Sequence, residues 1–274
     1  LRHLPIRDLD RVIAIESVQF TGESLAALLR EDIPVTILSH RGRFLGAFQP
    51  ASNSHGRSRL LQFQKQQDIP STLLLAGRIV AAKVHNQRRV LQRLAANRKV
   101  NLAEGLQRLD QMLSQAGRCR SLEELRGCEG AASARYFQLW AQFLPSAFPF
   151  AYRSRRPPHN PVNACLSFAS TLLYSEMAAF LHAHGLDPAL GLLHQTENGR
   201  WSLALDLMEP FRSVLAEALT LDIFSHQILN DSHFEPHDGG IYLNTEGRHK
   251  FILQYERRME RQFMSESIGH RTTL

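Results

Sequence analysis

The apolar residues of this 274-residue chain change period near residue 70, and that change bounds the folds open to it. Before it, Arg11–Ile15 and Pro34–Ser39 are short β-branched apolar runs, and Phe44–Phe48 follows the tight turn Arg41-Gly42-Arg43. These read as strands, with a short helix over Ser24–Leu29 that Thr21 is placed to cap. From Ser71 onward, Leu73, Ala76, Val80, Val84, Gln87, Leu91 and Leu94 recur at helical spacing, so one long helix capped by Ser71 is expected. A second helix is expected over 102–114. A third opens on the capping box Ser121-Leu-Glu-Glu124 and carries Leu125, Ala132, Tyr136, Leu139 and Phe143 on one stripe.

Residues 144–161 then hold five prolines together with Arg153, Arg155 and Arg156, the composition of a basic extended loop. Pro161 suits the first turn of a helix that stops at Gly185, and further helices are expected over 210–229 and 248–264, with a small strand over 239–244 between them. The fold class is α+β, mostly α. A small N-terminal β-rich domain, residues 1–69, precedes a larger helical domain, residues 70–274.

Composition narrows the function. At 43 % hydrophobic residues the chain can bury a sizeable core. No uninterrupted apolar stretch approaches the roughly 18 residues of a bilayer span, and the first residues carry no signal pattern, so no membrane partner is expected. Cys119, Cys128 and Cys165 form no Cys-x-x-Cys pair, which argues against a disulfide framework or structural zinc and for a reducing, cytoplasmic setting. Net charge is +6, but its distribution says more. Twelve Lys/Arg and one acid, Asp68, lie between Arg41 and Val100, leaving 20 basic and 25 acidic residues elsewhere. Charge segregated in this way is a footprint for a polyanion. Arg78, Lys83, Arg88, Arg89 and Arg93 on the long helix, with the Arg153, Arg155 and Arg156 loop, are the candidate phosphate contacts; solubility of an exposed helix is the simpler alternative.

A few residues could carry chemistry. Glu129 interrupts an apolar helix stripe, and an inward-facing acid must be paired, protonated or bound to a metal. On its own it favours an ion pair with a nearby arginine. Asp206 lies in Leu203-Ala-Leu-Asp-Leu-Met208, the most apolar setting of any acid in the chain, and Glu209 follows on the same face if the backbone is helical. Pro210 argues for a helix start or kink at 208–210, leaving Asp206 to cap a helix or to bind a ligand. His194 ends Gly191-Leu-Leu-His, where a lone histidine more often satisfies a core hydrogen bond than binds a metal. The cluster His233-Phe-Glu-Pro-His-Asp238 lacks a spacing that would preorganise ligands and reads as a polar surface loop. Serine or cysteine nucleophile motifs and glycine-rich phosphate loops are absent from the sequence.

Five ordered segments nevertheless resemble one family, the CRISPR-associated adaptation integrase Cas one (Cas1). They are Ile79–Gln87, Gly127–Phe137, Arg155–Asn163, Gly185–His194 and Leu203–Arg212. The resemblance implies a small β domain on a helical catalytic domain, and a metal-dependent DNA endonuclease and integrase that inserts short foreign DNA into a CRISPR array. It implies Mg²⁺ or Mn²⁺ held by Glu129, His194 and Asp206, with Glu209 at the position of a further catalytic acid. The partners it implies are double-stranded DNA, a second copy of the chain in a homodimer, and the small adaptation protein Cas two (Cas2). The family's β domain begins before Leu1, so a fragment or a domain from a fusion is expected, some relatives being fused to a reverse transcriptase. Two other readings stay open, a casposon-type transposase and a non-catalytic DNA-binding scaffold.

Overall fold

A computed structural model describes residues 4–39, 44–51, 55–264 and 271–272. The expected turn Arg41-Gly42-Arg43 lies outside the described residues. The three N-terminal strands form where the short apolar runs placed them: β1 (Val12–Ile15), β2 (Val35–Leu38) and β3 (Phe44–Phe48). β1 pairs parallel with β2, Val12 opposite Val35, and β2 pairs antiparallel with β3, Val35 opposite Phe48. A parallel pair needs a crossover, which α1 (Gly22–Arg30) supplies, its first turn capped by the Thr21 hydroxyl accepting from the Ser24 amide.

The helices that follow are α2 (Gly56–Gln67), α3 (Ile69–Arg98), α4 (Ala103–Ala116), α5 (Leu122–Trp140) and α6 (Pro161–Ala183). Two features of this stretch differ from expectation. α2 was not legible in a stretch with no clear apolar stripe. The long helix also starts earlier than Ser71, at Ile69, and the Asp68 carboxylate accepts from the Ser71 amide at 3.2 Å. A carboxylate ahead of the proline takes the capping role because Pro70 needs no partner of its own.

α7 (Ser202–Arg212) begins eight residues before the expected helix and carries Pro210 inside it. A π-helical turn, Ser213–Glu217, joins it to α8 (Ala218–Ser225). Asp206 is therefore on the body of a helix and not at its start. The His233–Asp238 cluster lies mostly at the surface, as expected, but as a hairpin and not a loop. Phe234–His237 is β4, paired antiparallel with β5 (Gly240–Leu243) through a turn in which Asp238 and Gly239 both take positive φ, and the His233 side chain is buried. α9 (Thr245–Met259), shorter than expected, and the pair β6 (Phe263–Met264) and β7 (Arg271–Thr272) complete the chain.

The compact units do not divide at 69/70. One comprises Leu1–Ile79, Arg120–Leu122 and Thr171–Glu209; the other comprises Val80–Cys119, Glu123–Ser170 and Pro210–Leu274. Long-range polar contacts explain why the first unit recruits part of the helical region. Arg11, beside β1, forms an ion pair at 2.9 Å with Glu176, an acid buried on α6. Gln62 on α2 exchanges two 2.8 Å hydrogen bonds with the backbone of Asp187, and Arg59 donates to the Gly185 carbonyl. The apolar cluster Ala178, Leu181, Leu203 and Ala204 lies in the same unit. In the second unit Tyr136, Trp140 and Phe143 are fully buried, as are Phe224, Phe251 and Tyr255.

One helix corrects the expectation about apolar length. α6 is long and apolar enough to cross a membrane by composition, although 67 % of its most apolar window is buried inside the protein. Its apolarity serves the core, and its serines and Glu176 interrupt what would otherwise have been a continuous run.

Candidate functional site

In the first unit the site is built around the turn Gly191–His194 and the helix α7 that follows it. Asp206 is fully buried. Its Oδ2 accepts from the amides of Leu192 at 2.5 Å and Leu193 at 2.9 Å, and its Oδ1 accepts from the His194 amide at 2.9 Å. Oδ1 also meets His194 Nδ1 at 2.6 Å. A carboxylate oxygen only accepts, so Nδ1 carries the hydrogen and Nε2 is left as the donor atom for a ligand. The turn requires Gly191, because a Cβ there would fall 2.2 Å from the His194 carbonyl oxygen and 2.6 Å from Ser202 Cβ. The Ser202 hydroxyl donates to the Gln195 carbonyl at 2.7 Å and closes the turn from the other side. Glu209, one helical turn after Asp206, is buried as well.

In the second unit Glu129 on α5 faces α3. Lys83 forms a close ion pair with Glu129 Oε1, and the Ser133 hydroxyl donates to the same oxygen at 2.9 Å. Both bonds fall on Oε1, so neither engages Oε2. The Glu129 side chain keeps 22 % of its exposure and that of Lys83 only 5 %. The expected ion pair exists, but its cation is Lys83 and not an arginine. Lys83 is correspondingly not an exposed phosphate contact: the long helix turns it inward, toward an acid that local periodicity cannot see.

The other basic candidates sort by burial. Arg78, Arg89, Arg93, Arg155 and Arg156 are exposed. Arg88 is ion-paired to Asp110 at 2.7 Å. Arg153 is tied into its own loop, donating to Asn163 Oδ1 at 3.0 Å and to the Ser167 hydroxyl at 3.0 Å. Its guanidinium is pushed down to about 9, first by burial and then by Arg212 and Arg155, with Glu217 opposing. An arginine spent on loop geometry is not a surface contact.

Sequence reasoning missed the residues that hold this loop and its surroundings. Asn163 accepts from the Ser154 amide and donates to the Tyr152 carbonyl, each at 3.0 Å, so it knits the basic loop to the start of α6. The π-helical turn brings Glu217 beside Tyr136, whose hydroxyl is held well above the ordinary tyrosine range by burial, with the Glu217 charge adding. Asn86 on α3 donates to the Pro210 carbonyl at 2.8 Å. Only Asn163, in Asn160-Pro-Val-Asn163 at a proline-led helix start, carried a local signal.

As a metal site, these residues offer the oxygen and imidazole donors that Mg²⁺ or Mn²⁺ accepts. Taken each by itself, neither unit gathers three His, Cys, Asp or Glu side chains into a metal-binding group among the described residues. Asp206 has its acceptor positions taken by three amides and a ring N–H, whereas His194 Nε2 and Glu129 Oε2 are turned away from these bonds.

The comparisons with known proteins agree with each other. The family model described as CRISPR associated protein Cas1 matches residues 1–257. CRISPR-associated endonuclease Cas1 3 of Thermus thermophilus is 36 % identical over 266 residues, covering 95 % of this chain and 78 % of that protein. A Cas1 protein from Thermotoga maritima superposes with a TM-score of 0.81 at 27 % identity, covering 94 % of this chain and 82 % of the other. A chain of a partial Cas6-RT-Cas1–Cas2 complex matches with a TM-score of 0.77 at 30 % identity, over 98 % of this chain and 80 % of the other. With residues 1–257 and the fold matched in this way, the chain belongs to the Cas1 family.

Proposed function

We propose that this chain carries out CRISPR adaptation as a metal-dependent endonuclease and integrase, joining the 3′-hydroxyl ends of short duplex DNA to the borders of a CRISPR repeat. The family match over residues 1–257 carries the reading. Each joining is a transesterification in which the terminal hydroxyl displaces a backbone oxygen at phosphorus. When bound, Mg²⁺ or Mn²⁺ supplies a more acidic hydroxyl and neutralises charge on the scissile phosphate.

This chain's residues do the rest. The family resemblance offers Glu129, His194 and Asp206 as metal ligands. The hydrogen bonds support a different role for Asp206, which fixes the turn and the tautomer of His194 from behind, so that His194 and Glu209 in the first unit and Glu129 in the second are the candidate ligands. Lys83 neutralises Glu129 while that acid awaits a divalent cation. The exposed Arg89, Arg93, Arg155 and Arg156 grip phosphates without reading sequence.

DNA and Cas2 are the partners this reading calls for, and a homodimer and an upstream fusion to a reverse transcriptase extend it. A chain of the Cas6-RT-Cas1–Cas2 complex, of which this chain covers 29 %, supports Cas2 and the reverse-transcriptase fusion.

The test is joining of a labelled short duplex to supercoiled plasmid with Mn²⁺, with Cas2 present, against EDTA and Glu129→Gln controls. Joining that both controls abolish is expected. No joining with intact duplex binding would assign the chain to a DNA-binding scaffold and overturn the catalytic reading.

A further inference from the structure

Two cysteines that nothing in the chemistry above uses meet at the corner between α4 and α5. Cys119 follows the last turn of α4 and Cys128 lies on α5, and their sulfurs stand 3.5 Å apart. Both are partly exposed, so a small solute reaches them. Cys165, by contrast, is fully buried on α6. Burial, with the Cys128 sulfur and the Glu124 carboxylate adding, pushes the Cys119 thiol up to about 11. Cys119 is therefore held as the thiol at neutral pH. Cys128 immediately precedes Glu129, whose Oε1 takes the bonds from Lys83 and Ser133.

We infer that Cys119 and Cys128 form an intramolecular disulfide when the chain meets a peroxide, a modification site that ties the end of α4 to the helix carrying Glu129. One sulfur attacks the peroxide oxygen, becoming a sulfenic acid and releasing one water. The other sulfur then displaces the hydroxyl of that sulfenic acid as a second water. Two electrons leave the sulfurs and reduce the O–O bond, and the two thiol protons end in the waters. Closing to a disulfide of about 2.05 Å draws the sulfurs together by about 1.5 Å. Cys119 sits in the loop before α5, so most of the movement falls on the loop, and the remainder falls one residue from Glu129. The effect on DNA joining rests on the function proposed above; formation of the disulfide does not.

The test treats the purified, reduced full chain with hydrogen peroxide, followed by alkylation and tryptic mapping. Trypsin cuts after Arg118, Arg120, Arg126 and Arg135, so the expected product is Cys119–Arg120 linked to Gly127–Arg135, lost on reduction with dithiothreitol. Cys119→Ser should yield no such species and should leave a sulfenic acid on Cys128 that dimedone traps. The site is overturned if the wild type gives no linked peptide while Cys128 oxidises, or if the link forms only between two chains. DNA joining by the oxidised chain should fall about tenfold or more, in line with the cost of ångström-scale misplacement, and return with dithiothreitol. Unchanged joining by a chain shown to be fully cross-linked would overturn the coupling to Glu129. A reduced chain that joins no DNA would count against the proposed function alone, since the peptide map still decides the disulfide.

Discussion

Asp206 in the first unit and Glu129 in the second are both candidate functional acids on helices, and they are held in opposite ways. Asp206 is fully buried, and its partners are three backbone amides and one imidazole, groups that the turn Gly191–His194 fixes in place. Glu129 is partly exposed, and its partners are a lysine ammonium on a flexible stem and a serine hydroxyl, both on one oxygen. An acid ringed by backbone donors is committed to architecture, because releasing it leaves several buried N–H groups without acceptors. An acid neutralised by one mobile cation can exchange that cation for another. On the proposed function, the pair separates a residue that positions from one that binds, although both look alike as lone acids in apolar surroundings.

The largest expected effect tests that separation through stability. Asp206→Ala should destabilise the first unit by about 4 kcal/mol, since it strands three amides and the His194 ring in a buried site. Glu129→Gln should cost less, about 2 kcal/mol, in the second, because Glu129 is partly solvated while the buried Lys83 loses its counter-charge. Urea unfolding of the two variants checks the order, and equal losses would erase the distinction. Next in size, Asp206→Asn keeps the shape but cannot accept from every donor, so Mn²⁺ binding measured by calorimetry should weaken about 10–100-fold while the fold survives. If Asp206 were itself a ligand and not a support, the loss should match that of Glu209→Gln.

The comparison extends to the cations. Each arginine that touches a phosphate contributes about 0.9 to the salt slope of duplex affinity. Arg89→Ala and Arg93→Ala should each lower that slope by about this amount, whereas Lys83→Met should leave it unchanged because Lys83 faces Glu129. A slope that falls in Lys83→Met would return that residue to the DNA-binding face.

The smallest effect concerns acid. Burial lowers His182, with Arg59 adding and Asp187 opposing, and its ring packs edge-on against Trp201 at 5.2 Å. A histidine whose folded value lies below its unfolded value binds more protons when unfolded, so it removes stability as pH falls from about 6.5 through the lowered value. Melting temperatures of His182→Leu should consequently decline less steeply than those of the wild type between about pH 7 and pH 5. Parallel declines would show that another group sets the acid response.

Local pattern made much of this legible. Short apolar runs placed β1, β2 and β3, Thr21 and Pro161 marked helix starts, and Gly185 with its positive φ marked a stop. Glu129, His194, Asp206 and Glu209 stood out because an acid or a lone histidine in apolar sequence needs a reason to be there. Other features were invisible at that level. α2 has no clear apolar stripe, and Pro210 argued for a break that tertiary packing overrode, with Asn86 bonding the Pro210 carbonyl and a π-helical turn following.

What the sequence by itself determined is most of the order of elements, the segregation of positive charge and the identity of the candidate side chains, since all three follow from residue type and spacing. Only the tertiary structure decided how those side chains are used. It turned Lys83 inward to Glu129, spent Arg153 on its own loop, and gave Asp206 to the backbone of a turn twelve to fourteen residues earlier. It also brought Cys119 within 3.5 Å of Cys128 across a helix corner. A partner's identity depends on distance in space, and periodicity reports only the face of a helix a residue occupies.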